Sequence, residues 1–207
     1  NQPGALLDIQ DNPGYLQNHN SGVFTNAGLV RKSAGLGTTI IQVPFYNTGT
    51  VSALSGTLQF EGGGTLDGVF DAMAGAAINF ASGNYTLNAM PGFAGAGTVQ
   101  FTGTSGIYFT VPISNFTLTG GTLSGTNTVT GVLNWTGGKI SGALTVASNA
   151  VLHLSGAATK TADTVVLTNW GTTTWTNAGW FALRYTTFYN QPGALLDIQD
   201  NPGYLQN

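Results

Sequence analysis

The sequence predicts an all-β chain wound as a right-handed parallel β-helix, a β-solenoid with coils of about 20 residues. Three observations carry this. An apolar, polar, apolar triplet recurs at nearly constant spacing, as a strand with one buried face requires. A second marker, an aromatic residue or Leu followed by x-Asn-x-Gly, recurs with the same step. The composition also disfavours helices: the 207 residues include 31 Gly and 30 Thr. Glycine costs about 1 kcal/mol in a helix interior, whereas Thr, Val and Ile suit a pleated surface.

Taken along the chain, the elements fall into that rhythm. The sequence opens on NQPGALLDIQDNPGYLQN (Asn1 to Asn18), and the same eighteen residues return at Asn190 to Asn207, an offset of 189. An identity of that length marks a repeat. Residues 1–189 therefore read as one tandem unit of about nine or ten stacked coils, and 190–207 as the start of the next identical unit. The Asn-Gly marker follows at Phe24-Thr25-Asn26-Ala27-Gly28 and, one step later, at Phe45-Tyr46-Asn47-Thr48-Gly49.

The triplets then run through Leu58-Gln59-Phe60, Ile78-Asn79-Phe80, Val99-Gln100-Phe101, Phe116-Thr117-Leu118, Leu133-Asn134-Trp135 and Leu152-His153-Leu154. Their last members stand at positions 60, 80, 101, 118, 135 and 154, so the step stays close to that of the marker and shortens towards Trp135. The marker returns at Leu167-Thr168-Asn169-Trp170-Gly171 and Trp175-Thr176-Asn177-Ala178-Gly179. A degenerate copy begins at Phe188-Tyr189-Asn190, and the last triplet is Leu196-Asp197-Ile198. Trp175 fills the long gap between the last two triplets. Gly, Asn and Ser clusters between these runs, Gly62-Gly63-Gly64 among them, read as turns.

A sandwich or an outer-membrane barrel would use the same step as a hairpin. The runs, about four to six residues before a glycine, are too short to span a bilayer as tilted strands of about ten. A sandwich needs neither a regular coil length nor a distant identity. Stacked coils need both, and at about 4.8 Å per coil one unit advances roughly 43–48 Å. Two roles fit Asn26, Asn47, Asn169, Asn177 and Asn190. They can stack into a ladder, each amide donating to one coil and accepting from another, or serve as turn residues that face water.

Strings such as GTVSALSGTLQFEGGGTLDGVFDAMAGAAINF (49–80), GFAGAGTVQFTG (92–103) and the stretch from Phe116 to Gly156 resemble the β-solenoid repeats of very large bacterial surface and secreted proteins. These include adhesin-like and autotransporter-passenger-like chains. The resemblance spans roughly residues 24–180 and rests on degenerate motifs, so it speaks to architecture. What it implies of function is an extended stalk, an adhesin or an extracellular fibre.

Composition narrows the function classes. The absence of cysteine removes thiolate nucleophiles, disulfide scaffolds and zinc fingers. Five Lys plus Arg against eight Asp plus Glu, a net charge of −3, leave no basic stretch for a phosphate backbone, so nucleic acid is not an expected partner. With 42% hydrophobic and 11% aromatic residues the chain should fold. No run of about 18 apolar residues is present for a transmembrane helix.

Chemistry is sparse. The acidic pair Asp8 and Asp11, repeated as Asp197 and Asp200, and the pair Asp67 and Asp71 are the nearest to a carboxylate dyad. Asp11-Asn12-Pro13-Gly14 reads more simply as a β-turn. Asp8, Asp11 and Asn12 carry oxygens a calcium ion could use, but the glycine-rich calcium-binding repeat is missing. His19 and His153 are isolated, and neither a Gly-x-Ser-x-Gly elbow nor a phosphate loop occurs. Asn84, Asn115 and Asn134 open N-glycosylation patterns that such a composition produces by chance. Thr128-Val129-Thr130 and Thr172-Thr173-Thr174 invite an ice-binding face, but the triplets do not keep Thr-x-Thr in phase.

The expectation is a non-enzymatic, cofactor-free structural segment, extracellular or at a cell surface, whose partners are identical units stacked end to end. The rival expectation is an adhesin-type binding module for carbohydrate or a cell surface, using Trp135, Trp170, Trp175 and Trp180, with Tyr85 and Tyr108.

Overall fold

The computed structural model describes residues 1–11, 14–17, 20–176, 179–199 and 205–206. Among these residues there is no helix, and the parallel sheets stack as a β-solenoid of about nine turns with roughly 21-residue spacing. Two compact units divide the chain, Asn1–Gly106 and Ile107–Asn207.

In the first unit each coil contributes one strand to each of three sheets. Coil one holds β1 (Leu6–Ile9), β2 (Tyr15–Leu16) and β3 (Phe24–Asn26), and coil two β4 (Leu29–Lys32), β5 (Thr38–Ile41) and β6 (Phe45–Asn47). Coil three holds β7 (Thr50–Ala53), β8 (Thr57–Phe60) and β9 (Gly64–Leu66), and coil four β10 (Val69–Ala72), β11 (Ala77–Phe80) and β12 (Asn84–Leu87). Coil five opens with β13 (Gly92–Ala94) and β14 (Thr98–Phe101). The sheet orders β1-β4-β7-β10-β13 and β2-β5-β8-β11-β14 follow from this three-strand period.

The alternation read from sequence sets which side chains enter the coil. In the first sheet Val30, Val51, Phe70 and Phe93 share a register position, and in the second Ile41, Phe60, Phe80 and Phe101 do. Their rings form a ladder. Phe60 and Phe80 stack with centroids 5.4 Å apart, Phe80 and Phe101 at 4.7 Å, and Phe70 meets Phe80 edge-on at 5.3 Å. Aromatic pairs at this separation add about 0.5–1.5 kcal/mol beyond the area they bury.

The glycine that closes the marker motif now has a cause. At the corner after β3 and β6, a Cβ on Gly28 would lie 2.4 Å from the carbonyl oxygen of Ala5, and one on Gly49 2.2 Å from that of Gly28. Coils approach too closely there for any side chain. The Gly62-Gly63-Gly64 run turns over its first two residues, while Gly64 begins β9.

In the second unit the strands lengthen. After β15 (Gly106–Phe109), which starts at the unit boundary, come β16 (Ile113–Leu118), β17 (Thr122–Trp135), β18 (Gly138–Val146), β19 (Val151–Leu154) and β20 (Lys160–Asn169). The last are β21 (Thr172–Trp175), β22 (Phe181–Arg184), β23 (Thr187–Asn190), β24 (Leu195–Ile198) and β25 (Leu205–Gln206). The 14-residue β17 corrects the expectation that glycine ends every run. Its first half pairs with β18 and its last four residues with β19, so it passes from one face to the next without breaking. The change of partner falls between Val129 and Val132, and Gly125, at φ +89°, sits inside the first half as the register partner of Gly142.

The shortened step that the triplets show before Trp135 is a real short coil, since Leu118 and Trp135 are register partners. The column continues through Leu154, Trp175 and Ile198, with Trp175 in the gap left for it.

Candidate functional site

The polar groups gathered by this fold lie inside the coils, along outward rows, and at the two ends of the repeat. Inside, the marker asparagines stack. Asn26 Nδ2 donates to Asn47 Oδ1 at 2.7 Å and to the Thr50 carbonyl at 3.2 Å, and Asn26 Oδ1 accepts from the Gly28 amide at 3.2 Å. Asn1 Nδ2 extends the row by donating to Asn26 Oδ1 at 2.7 Å. Asn47 Nδ2 ends it on the Asp67 carbonyl at 2.6 Å, because Leu66 holds the next rung.

The second unit repeats the arrangement. Asn169 Nδ2 donates to Asn190 Oδ1 at 2.8 Å and to the Leu195 carbonyl at 2.9 Å. Asn26, Asn47 and Asn169 are fully buried, so each hydrogen bond replaces lost water. Asn177 lies outside the described residues, as do Asn12, His19 and Asp200.

Two lysines are also enclosed, which the sequence reading did not anticipate. Lys32 Nζ donates to the Asp11 carbonyl at 2.7 Å and to Thr39 Oγ1 at 3.3 Å, and Lys160 Nζ donates to the carbonyls of Ser155 and Gly156 at 2.9 and 2.8 Å. Burial pushes both amines below the usual lysine range, and the charge of Asp11 partly opposes this at Lys32. The signal was available in the period of two: Val30 faces inward, and Lys32 stands two residues on.

Outside, Arg31 holds Asp8 across adjacent coils, with Nη2 at 2.8 Å from Oδ2 and Nε at 3.1 Å from Oδ1. Hydrogen bonds from Arg31, then Gln10 and Ser33, keep the Asp8 carboxyl well below the usual carboxylate range. Asp67 accepts the backbone amides of Asn88 and Ala89 at 2.9 and 3.1 Å, so it pins a loop. His153 Nδ1 meets Thr174 Oγ1 at 2.5 Å. No group of three His, Cys, Asp or Glu suited to a metal occurs among the described residues.

The tryptophan set divides. Trp135 is 0% and Trp175 4% exposed, both in the column beneath the triplets, so neither is a surface residue. Trp175 Nε1 donates to the Gly179 carbonyl at 3.3 Å. Tyr85 is likewise enclosed, its hydroxyl donating to the Ser82 carbonyl at 2.8 Å, and burial pushes its phenol well above the ordinary range. Each of the three follows the alternation of its own strand. Trp170, Trp180 and Tyr108 do face outward.

The first ten residues of the repeated segment share their turn in both copies, 1–10 and 190–199. Ala5 donates to the Gln2 carbonyl at 3.0 Å and Ala194 to the Gln191 carbonyl at 3.0 Å, with Gly4 at φ 78° and Gly193 at φ 84°. Gln10 Nε2 donates to Asp8 Oδ2, and Gln199 Nε2 to Asp197 Oδ2.

The two copies are stacked by opposite edges. Near the N-terminus the segment's carbonyls accept: Asn1, Ala5 and Ile9 take the amides of Ala27, Leu29 and Ser33, each at 2.9 Å. Near the C-terminus its amides donate: Gln191, Leu195 and Gln199 give to Asn169, Gly171 and Trp175 at 3.0, 2.9 and 2.9 Å. Apolar clefts of about 200 and 170 Å³ lie against the two copies, the first lined by Leu7 and Ile9, the second by their counterparts Leu196 and Ile198.

No helix is long and apolar enough to cross a membrane among the described residues. No protein-family model, no curated protein and no solved structure matches the chain.

Proposed function

We propose that this chain is a structural segment of a tandem-repeat β-solenoid, extracellular or at a cell surface, whose work is to supply length and rigidity and to resist proteolysis. The observation that carries the reading is the double use of the eighteen-residue segment. Asn1–Gln10 and Asn190–Gln199 share one fold yet are stacked by complementary edges, so a single copy can sit between two coils and let the solenoid run on. Natural solenoids otherwise end in atypical capping sequence.

Low charge and a hydrogen-bonded backbone fit the role. Of the five basic residues a trypsin-like protease could seek, Lys32 and Lys160 are inside the coils. The likeness to the solenoid repeats of bacterial surface proteins points the same way, toward a stalk or fibre. Electron microscopy of the native material tests it. Thin filaments with an axial repeat of roughly 43 Å, about nine coils at 4.8 Å each, are expected; compact particles without that repeat would refute it.

A second reading, an adhesin-type module, draws on Trp170 and Trp180, which are 49% and 42% exposed. Glycan-array binding lost on Trp170→Ala or Trp180→Ala would favour it over the scaffold.

A further inference from the structure

The repeated segment meets one coil through its amides and another through its carbonyls, and the side chain of its first residue does the same. We propose that Asn169, Asn190 and, in the following repeat, Asn26 and Asn47 form one four-rung ladder that locks successive repeats of a tandem chain head to tail in a single register. The proposal rests on the reading of residues 190–207 as the start of the next repeat, and it specifies which side chains hold the seam.

The two copies of the first residue show the two halves of the ladder. Asn190 Oδ1 accepts from Asn169 Nδ2 at 2.8 Å, whereas Asn1 Nδ2 donates to Asn26 Oδ1 at 2.7 Å and to the Leu29 carbonyl at 3.0 Å. One amide can do both at once, because its oxygen serves the coil before and its nitrogen the coil after. The side chain also points the same way in each copy: Asn1 Nδ2 donates to the Ala5 carbonyl at 3.4 Å, and Asn190 Nδ2 to the equivalent Ala194 carbonyl at 3.3 Å. Joining the halves therefore displaces no bond that either copy makes.

The rungs follow one pattern. Each Nδ2 donates to an asparagine oxygen on the next coil and to a carbonyl just beyond it, Asn169 to Asn190 and Leu195, Asn1 to Asn26 and Leu29, and Asn26 to Asn47 and Thr50. All donors thus face the following coil. The amides of Gly28 and Gly171, each 3.2 Å from the oxygen of Asn26 or Asn169, fix that direction. At the seam the residue in the glycine's place is Pro192, which has no N–H to give. Asn190 Oδ1 takes its hydrogen bond from the preceding repeat instead.

The position of the ladder is set by its neighbours in the column. Val146 is the register partner before Asn169, and Leu66 holds the rung after Asn47. The four asparagines therefore begin one rung before the seam and run three beyond it.

The test uses a two-repeat chain, the present sequence continued from Asn207 with residues 19–189 and isotope-labelled in its second repeat only, so that each labelled amide occurs once. Asn169→Leu deletes the bond across the seam and keeps an aliphatic side chain of the kind the column accepts at Val146 and Leu66. Hydrogen exchange at the amides of Gln191, Leu195 and Gln199, which donate to Asn169, Gly171 and Trp175, is expected to quicken about tenfold. Trp170→Thr, beside it and facing outward, is expected to leave those rates unchanged. Equal rates in the two variants would overturn the ladder.

Register is read separately, in the chain with its asparagines intact. No native cysteine competes, and Thr172 and Leu195 are register partners across the seam. A Thr172→Cys, Leu195→Cys pair is expected to form a disulfide, and a Thr172→Cys, Asp197→Cys pair, two residues out of step on the same face, to stay reduced. The reverse preference, or no disulfide in the folded chain, would overturn the single register. Native filaments together with any of these failures would leave the structural role standing and remove only the seam; absence of filaments with every seam result as expected would do the opposite.

Discussion

The carbonyl oxygen of Gly28 lies where the Cβ of any other residue at position 49 would have to be, 2.2 Å from it. That approach fixes the spacing of coils two and three at one corner, between the asparagine ladder and the start of the next face. The oxygen belongs to backbone already committed to the stack, accepting the Thr50 amide at 2.8 Å, and has nowhere to retreat.

Gly49→Ala should therefore destabilise the first unit by about 3 kcal/mol, the upper end for overpacking. Ala27→Gly, next to the contact, serves as a control for added chain entropy. Chemical denaturation of both variants checks this; an unchanged midpoint for Gly49→Ala would contradict the close approach.

Removing one rung of the ladder should cost more than a surface asparagine. Asn47→Leu takes from the buried Asn26 amide one of its two acceptors, leaving the Thr50 carbonyl, and from the half-buried Asp67 carbonyl its side-chain donor, for an expected loss of about 1–3 kcal/mol. Asn149→Leu, exposed in a turn, should change stability by less than about 0.5 kcal/mol. Thermal unfolding of the pair gives the comparison.

The four tryptophans should separate by stability alone. Trp135→Ala empties a fully buried position and should cost about 3–5 kcal/mol, while Trp170→Ala and Trp180→Ala should leave the unfolding midpoint nearly unchanged. Fluorescence sorts them too: a polar quencher should reach Trp170 and Trp180 and spare Trp135 and Trp175.

Acid should loosen the first ten residues before the rest. The Asp8 carboxyl is held below its ordinary value of 3.8, so the unfolded segment takes up a proton first as pH falls. The stabilisation is complete above 3.8 and is lost as pH drops from there through the folded value. Hydrogen exchange at the amides of Ala27, Leu29 and Ser33, which donate to this segment, should quicken in that range, and Arg31→Met, which removes the largest of the contacts on Asp8, should weaken the dependence.

Alkali should act in the opposite sense on the buried lysines. Each folded-state value lies below the ordinary 10.5, so the unfolded chain binds more protons between the two and stability rises with pH through that window. Unfolding midpoints measured from neutrality to about pH 10 should climb. In a Lys32→Met, Lys160→Met double variant the climb should flatten.

Much of the fold was legible in sequence because a one-sided strand writes itself as alternation. Leu58, Phe60, Ile78 and Phe80 are buried as their triplets require, and Gln59 and Asn79 hydrogen-bond outside them at 3.1 Å. The assignment of Trp135 and Trp175 to the surface conflicted with that same alternation, which already placed them inward. The Asp8–Arg31 pair was not legible. It depends on a first coil that separates these register partners by 23 residues, longer than the triplet spacing suggested. Nor does sequence show that β17 passes from one partner strand to the next unbroken, since a glycine such as Gly125 or Gly131 can lie within a strand as readily as end it.

Enclosing Lys32 and Lys160 has a practical corollary for handling the molecule. Lys139, with 42% of its side chain exposed, is left as the solvent-facing ε-amine of the chain's three lysines. Dyes or surface tethers directed at lysine side chains would then attach to the second unit at one known point, orienting each immobilised molecule the same way.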